Sequence, residues 1–244
     1  MRNHYISQPI LFFVTRNKII FPIVFLVLLV SACCLYIEET KPAPVENGNS
    51  QSSYTDKEIE YFKEIALGTE YGNNIQVIRK WDSDIRIKIN GSPNEMDIQA
   101  LNQVVSEINE IIGDKINLSI VSTNQNIDIN FVPLSDFSIC NAAPGNYGYF
   151  NCKWRNNVIY ECDICIANEN TLLQEERSHM IREELTQSLG LMRDSLKYRD
   201  SIFYEGWTQT QRYSEIDRKM IEILYSGSIR PGMGKEEIEL ILKK

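Results

Sequence analysis

Residues 19–37, IIFPIVFLVLLVSACCLYI, carry no charged side chain, and this run divides the chain before any fold can be read. A run of that length can cross a bilayer as a short helix. It cannot be shared among the half-polar elements of a water-facing core. Arg16 and Lys18 precede it, and small Ser31 and Ala32 stand before Cys33, the layout of a secretory signal with its cut. Two readings follow: a cleaved signal that leaves Cys33 first, or an uncleaved anchor helix in which Cys33 and Cys34 are ordinary apolar residues. In both, residues 1–37 form a signal peptide or membrane anchor and the remainder leaves the cytoplasm.

The end of the run, 30-VSAC-33, resembles the lipobox of bacterial lipoproteins, which implies lipidation of Cys33 and a membrane partner. Residues 38–56, EETKPAPVENGNSQSSYTD, hold almost nothing to bury and read as a disordered tether. The folded domain is then expected over 57–244. Once Arg2, Arg16 and Lys18 are set aside, about 22 basic residues face 33 acidic ones. Such a surface repels phosphate backbones, and no basic cluster interleaved with aromatics appears, so nucleic acid is excluded as a partner.

Beyond Cys33 and Cys34 the cysteines are Cys140, Cys152, Cys162 and Cys165. In an oxidising compartment an even, closely spaced set favours disulfides, with connectivity open. Free thiols and a four-thiolate zinc site are the alternatives, although only Cys162-x-x-Cys165 has ligand spacing.

Periodicity gives the order of elements. A short amphipathic helix is expected over 56–68, a strand at 84–89 and a helix over 95–112, where Ile98, Leu101, Val105, Ile108 and Ile112 share a face. Strands follow at 116–120 and 127–131. Residues 144–167 read as a turn and two strands joined at Asn156-Asn157. A helix from about Leu172 to Leu191, capped by Asn170 or Thr171, comes next. A capping box at Ser214-x-x-Asp217 opens another helix, and 235–244 closes the chain. The fold class is α+β: a twisted mixed sheet with a backing helix, a motif helix and a small helical C-terminal part.

The chemistry concentrates in 182-REELTQSLGLMRDS-195. Ile181, Leu185, Leu189 and Met192 recur as a buried stripe. His179, Glu183 and Gln187 line another face, with Glu184 about 100° round from Glu183. That face is either solvated, with supporting pairs such as Arg182 and Glu176, or it looks into a cleft. The segment resembles the zinc-peptidase pattern H-E-x-x-H-x-x-G-x-x-H-D. It keeps Glu184, Gly190 and Asp194, and puts Glu183, Gln187 and Arg193 at the three ligand positions. Together with strand order and 228-SIRPGM-233, it is similar to the zincin fold and its metzincin branch. More closely, with 200-DSIFY-204 and 230-RPGM-233, it resembles an uncharacterised bacterial lipoprotein family, a domain of unknown function in the zincin-like peptidase clan with E-E-x-x-Q in place of H-E-x-x-H.

The resemblance implies a candidate cleft of His179, Glu183, Glu184, Gln187, Arg193 and Asp194, with Glu184 at the general-base position. The residue types argue against a working zinc peptidase and name no metal ligand. The chain has two histidines, and His4 lies in the leader. Gln187 is a poor ligand and Arg193 cannot bind a cation. Alternatives are a displaced site using His179, Glu183 and Asp194 or Asp200, hard-oxygen ligation of calcium or magnesium by Glu183, Gln187 and Asp194, or an Arg193 guanidinium in the cation's place. The expected role is binding of a peptide or cell-envelope component along 158–167, with no cofactor. A metal-dependent hydrolase, with zinc or calcium as its cofactor, is the first alternative, and a structural envelope protein with no ligand cleft is the second.

Overall fold

The computed structural model describes residues 54–69, 75–142 and 145–244. The expectations for the leader and tether, Cys33 among them, lie outside these residues. None of the described helices is long and apolar enough to cross a membrane.

Helix α1 (Asp56–Ala66) opens on a capping box in which Thr55 accepts from the Glu58 amide. The strands are β1 (Ile85–Gly91), β2 (Leu118–Ile120), β3 (Ile127–Val132), β4 (Gly148–Arg155) and β5 (Val158–Ala167). They form one five-stranded sheet in the order β2-β1-β3-β5-β4. All neighbours are parallel except β4, which runs antiparallel to β5 at the edge. Asn156 and Asn157 both adopt positive φ, 51° and 65°, and join β4 to β5 in the tight turn that such residues permit.

The register stacks Ile87 beside Ile127, Ile129 beside Ile164, and Phe131 beside Ile166. These side chains are buried and define the core face of the sheet. Shifted by one residue, Lys88, Asp128, Asp163 and Asn151 fall in a second row on the opposite, half-exposed face. Two helices pack on the core face: α2 (Glu95–Ile112) and the motif helix α3 (Gln174–Gln187). Helices α4 (Glu215–Tyr225) and α5 (Lys235–Leu242) complete the C-terminal part, as the α+β reading requires.

Among the described residues two disulfides form: Cys140–Cys165 ties the 3-10 helix Leu134–Cys140 to β5, and Cys152–Cys162 links directly opposed residues of β4 and β5. They suit an oxidising environment outside the cytoplasm. The four-thiolate alternative fails for a geometric reason. Cys162 and Cys165 are an odd number of residues apart on one strand, so they face opposite sides of the sheet.

Three sequence expectations need correction. Helix α3 starts later, at Gln174, because Glu176 reaches back to the Leu173 amide (2.9 Å) and no Thr171 cap forms. Arg182 does not pair with Glu176; it binds Glu107 of α2 at 2.5 Å and lies over the Tyr213 ring. Strand 158–167 is not available to a ligand, since β3 and β4 pair with it on both sides. The strand at that edge of the sheet is β4.

Candidate functional site

Helix α3 is buried on more than one side, which explains why its pattern looks polar. Ile181, Leu185, Leu189 and Met192 enter the core, while Arg177, His179, Arg182, Glu184, Thr186 and Gln187 are buried too. Such a helix needs partners for each polar group. Arg177 meets Asp97 of α2, and the Thr186 hydroxyl donates to the Arg182 carbonyl at 2.6 Å.

Its upper side floors a cleft of about 210 Å³ whose wall is β4. Glu183, Glu184, Gln187, Met192 and Asp194 lie below, and Gly148, Phe150, Asn151, Cys152 and Trp154 lie along the strand. Of the six candidate cleft residues, the structure brings four to this lining: Glu183, Glu184, Gln187 and Asp194. His179 stands behind Glu183. Arg193 is absent from the lining; its amide donates to the Ile65 carbonyl (3.2 Å), and its charge acts on Glu64.

The contacts define what each group can do. The Gln187 amide nitrogen donates to Asp194 Oδ1 at 2.6 Å, joining two of the positions that the resemblance singled out. His179 Nδ1 lies 2.8 Å from the Thr210 carbonyl, and Nε2 lies 3.3 Å from Glu183 Oε2. A carbonyl and a carboxylate both accept hydrogen bonds, so this pair of contacts favours the imidazolium. Burial works against protonation, but Glu183 and Thr210 outweigh it and hold the His179 pKa above its ordinary value, with Arg182 opposing weakly. A base with a raised folded-state pKa stabilises fully below the unfolded value, about 6.5, and loses that contribution as pH rises through the folded pKa. Unfolding free energy measured by urea titration is therefore expected to fall on the alkaline side of pH 6.5. A His179→Gln variant should flatten that slope, and an unchanged slope would refute the ion pair.

A catalytic zinc site needs three protein ligands around one open position. Among the described residues no group of three or more His, Cys, Asp or Glu is arranged to hold a metal ion. The imidazole is engaged at both nitrogens, away from Gln187 and Asp194.

Sequence reasoning missed the β4 half of the site. Gly148 sits so close to Glu184 that a Cβ there would overlap the carboxylate. Trp154 and Phe150 were legible only as strand residues. Their position at the sheet edge depends on strand order, which one sequence does not print. Gly190 has a structural explanation. It turns the chain after α3 at φ +121° and lies against the Arg79 carbonyl. Met233 is a core residue after the Pro231-Gly232 turn, and its carbonyl accepts from Ile78 at 2.9 Å.

Residues 56–244 match the family described as Protein of unknown function (DUF2927). No curated protein matches the chain. Among solved structures, one of myroilysin is similar at 13% identity and TM-score 0.40, covering 60% of this chain and 95% of that one. A second myroilysin structure is similar at 13% identity and TM-score 0.33, covering 75% of this chain and 78% of the other.

Proposed function

We propose, for a chain that belongs to the DUF2927 family of proteins of unknown function, that its folded domain is a degenerate zincin-like binding module. It is held outside the cytoplasm by a lipid on Cys33 or by an anchor helix, and it binds an extended peptide or envelope component along β4. The observation that carries this reading is the pairing of an outer strand with a polar helix across one cleft. An edge strand offers main-chain groups to an added strand, and the side chains opposite read the ligand. Below β4, Glu183, Glu184, Gln187 and Asp194 offer acceptors and one amide, a set suited to hydrogen bonding more than to holding zinc.

Without a metal-bound water Glu184 has no activated nucleophile to serve, since a carboxylate alone activates water weakly. Its role in this reading is to accept a hydrogen bond from the ligand. Glu183 and Glu184 are neighbours on one helix and diverge by about 100°, so they do not flank one bond as a catalytic carboxylate pair would.

The full-length protein, titrated with a library of unstructured pentapeptides, is expected to show amide shifts concentrated on residues 148–155. In Gly148→Ala the new methyl displaces the Glu184 carboxylate, and binding should weaken at least about tenfold, or ~1.4 kcal/mol. Melting should change little, because the clash falls on the movable end of a side chain. Peptide shifts confined to α4 and α5 would defeat the proposal. Stoichiometric zinc lost in Glu183→Ala would replace it with a metal-dependent hydrolase. Labelled palmitate should enter the protein and be lost in Cys33→Ala; membrane attachment without label would favour the uncleaved helix.

A further inference from the structure

The buried guanidinium of Arg79 is unexplained by the fold or by the cleft as described so far. Arg79 is only 3% exposed, and among the described residues no carboxylate pairs with it. Among the described residues its Nε has no hydrogen-bond partner, and its Nη1 donates to the Ile75 carbonyl at a long 3.5 Å. The other contact is aromatic: the guanidinium carbon lies 4.6 Å from the centroid of the Trp154 ring. A cation–π contact returns about 0.5–2 kcal/mol. Leaving a buried charge unpaired costs several kcal/mol. The other buried arginines differ in having a carboxylate partner: Arg177, whose Nε also lacks a hydrogen-bond partner among the described residues, meets Asp97, and Arg182 meets Glu107.

Trp154 connects this cation to the cleft. It is a lining residue there, it remains 39% exposed, and it covers the guanidinium. A planar fork of N–H donors is matched by a carboxylate or phosphate, which takes two parallel hydrogen bonds. We propose that Arg79 and Trp154 form an oxyanion-binding subsite at one end of the cleft, which receives the C-terminal carboxylate of a peptide seated along β4. The inference rests on the peptide-binding reading above and adds the ligand's polarity to it. Glu183, Glu184 and Asp194 line the cleft and repel an anion, and Glu184 lies against Gly148 at the far end of β4, so the attractive position for one is the Trp154 end. Strand β4 runs from Gly148 toward Arg155. A peptide with its carboxylate beside Trp154 therefore lies parallel to β4, and the indole shifts to admit it.

The test compares acetylated tetra-alanine with a free C-terminus and the same peptide as its C-terminal amide, each titrated calorimetrically into the full-length protein. The acid is expected to bind at least tenfold more tightly, with a change in tryptophan emission. Inorganic phosphate should compete with it. Arg79→Gln should remove the preference for the acid, and Arg79→Lys should restore part of it. Equal binding of acid and amide would overturn the subsite and leave peptide binding along β4 standing. Binding of phosphate with no preference for the acid peptide would replace the carboxylate by a phosphorylated ligand and also overturn it. Binding of neither peptide, with no pentapeptide shifts on β4, would remove the cleft reading and this inference together. The acid–amide comparison needs only the unaltered protein, so it decides the matter even if an Arg79 variant fails to fold.

Discussion

Gly190→Ala is expected to destabilise the domain by about 3–5 kcal/mol, a large share of the roughly 5–15 kcal/mol that holds a typical domain folded. Two effects act together. At φ +121° the backbone occupies a region that L side chains rarely adopt, which costs on the order of 1–3 kcal/mol. The new Cβ would also overlap the Arg79 carbonyl, a backbone atom with little freedom to retreat. Both sides of the contact are pinned. Lys80, the next residue, bridges Val158, and its amide donates to the Asn157 carbonyl. The turn after α3 is held where the Trp81 indole donates to Ser188 (2.9 Å) and the Tyr225 hydroxyl donates to Leu189 (3.1 Å). Urea denaturation of Gly190→Ala beside Gly227→Ala measures the effect, since a Cβ at Gly227 meets nothing within 4 Å. A Gly190→Ala cost below about 1 kcal/mol would show that the turn relaxes more easily than these contacts allow.

Loss of the Cys140–Cys165 bridge should cost about 3–4 kcal/mol, and loss of Cys152–Cys162 distinctly less. The first closes 25 residues of sequence and anchors the 3-10 helix to β5. The second spans 10 residues that the β4–β5 hairpin already brings together through its Asn156-Asn157 turn. Constraint on the unfolded chain grows with loop length, and a preformed hairpin lowers the return from a bridge inside it. The measurement is the urea midpoint of Cys140→Ala/Cys165→Ala against Cys152→Ala/Cys162→Ala. A larger loss in the second pair would mean that the bridge beneath β4 holds the cleft wall itself, and the loop-length argument would fail.

Local rules made much of the fold legible. The alternation of Ile85, Ile87 and Ile89 marked β1, the apolar face of 95–112 marked α2, and Asn156-Asn157 marked a hairpin. Each signal lies within a few residues of chain, where φ preference and side-chain period act directly. Helix α3 was harder. Its apolar stripe was visible, but a helix buried on several sides carries polar residues whose partners are distant in sequence. The partners of Arg182 and Arg177 are Glu107 and Asp97, on another helix. A local pair of Arg182 with Glu176 belongs to the solvated-face reading of this helix, and the structure pairs Arg182 with Glu107 instead.

The sequence by itself determined the composition of the helix floor: Glu183, Glu184, Gln187 and Asp194 on one short segment. Covalent order and the 3.6-residue period suffice for that. Tertiary structure alone decided what faces this floor. Strand order put β4 at the edge and β5 inside, set Gly148 against Glu184, and laid Trp154 over an Arg79 that comes from 75 residues earlier in the chain. Which strands pair, and which side chains meet across the cleft, depends on burying one common core. No local pattern encodes that choice.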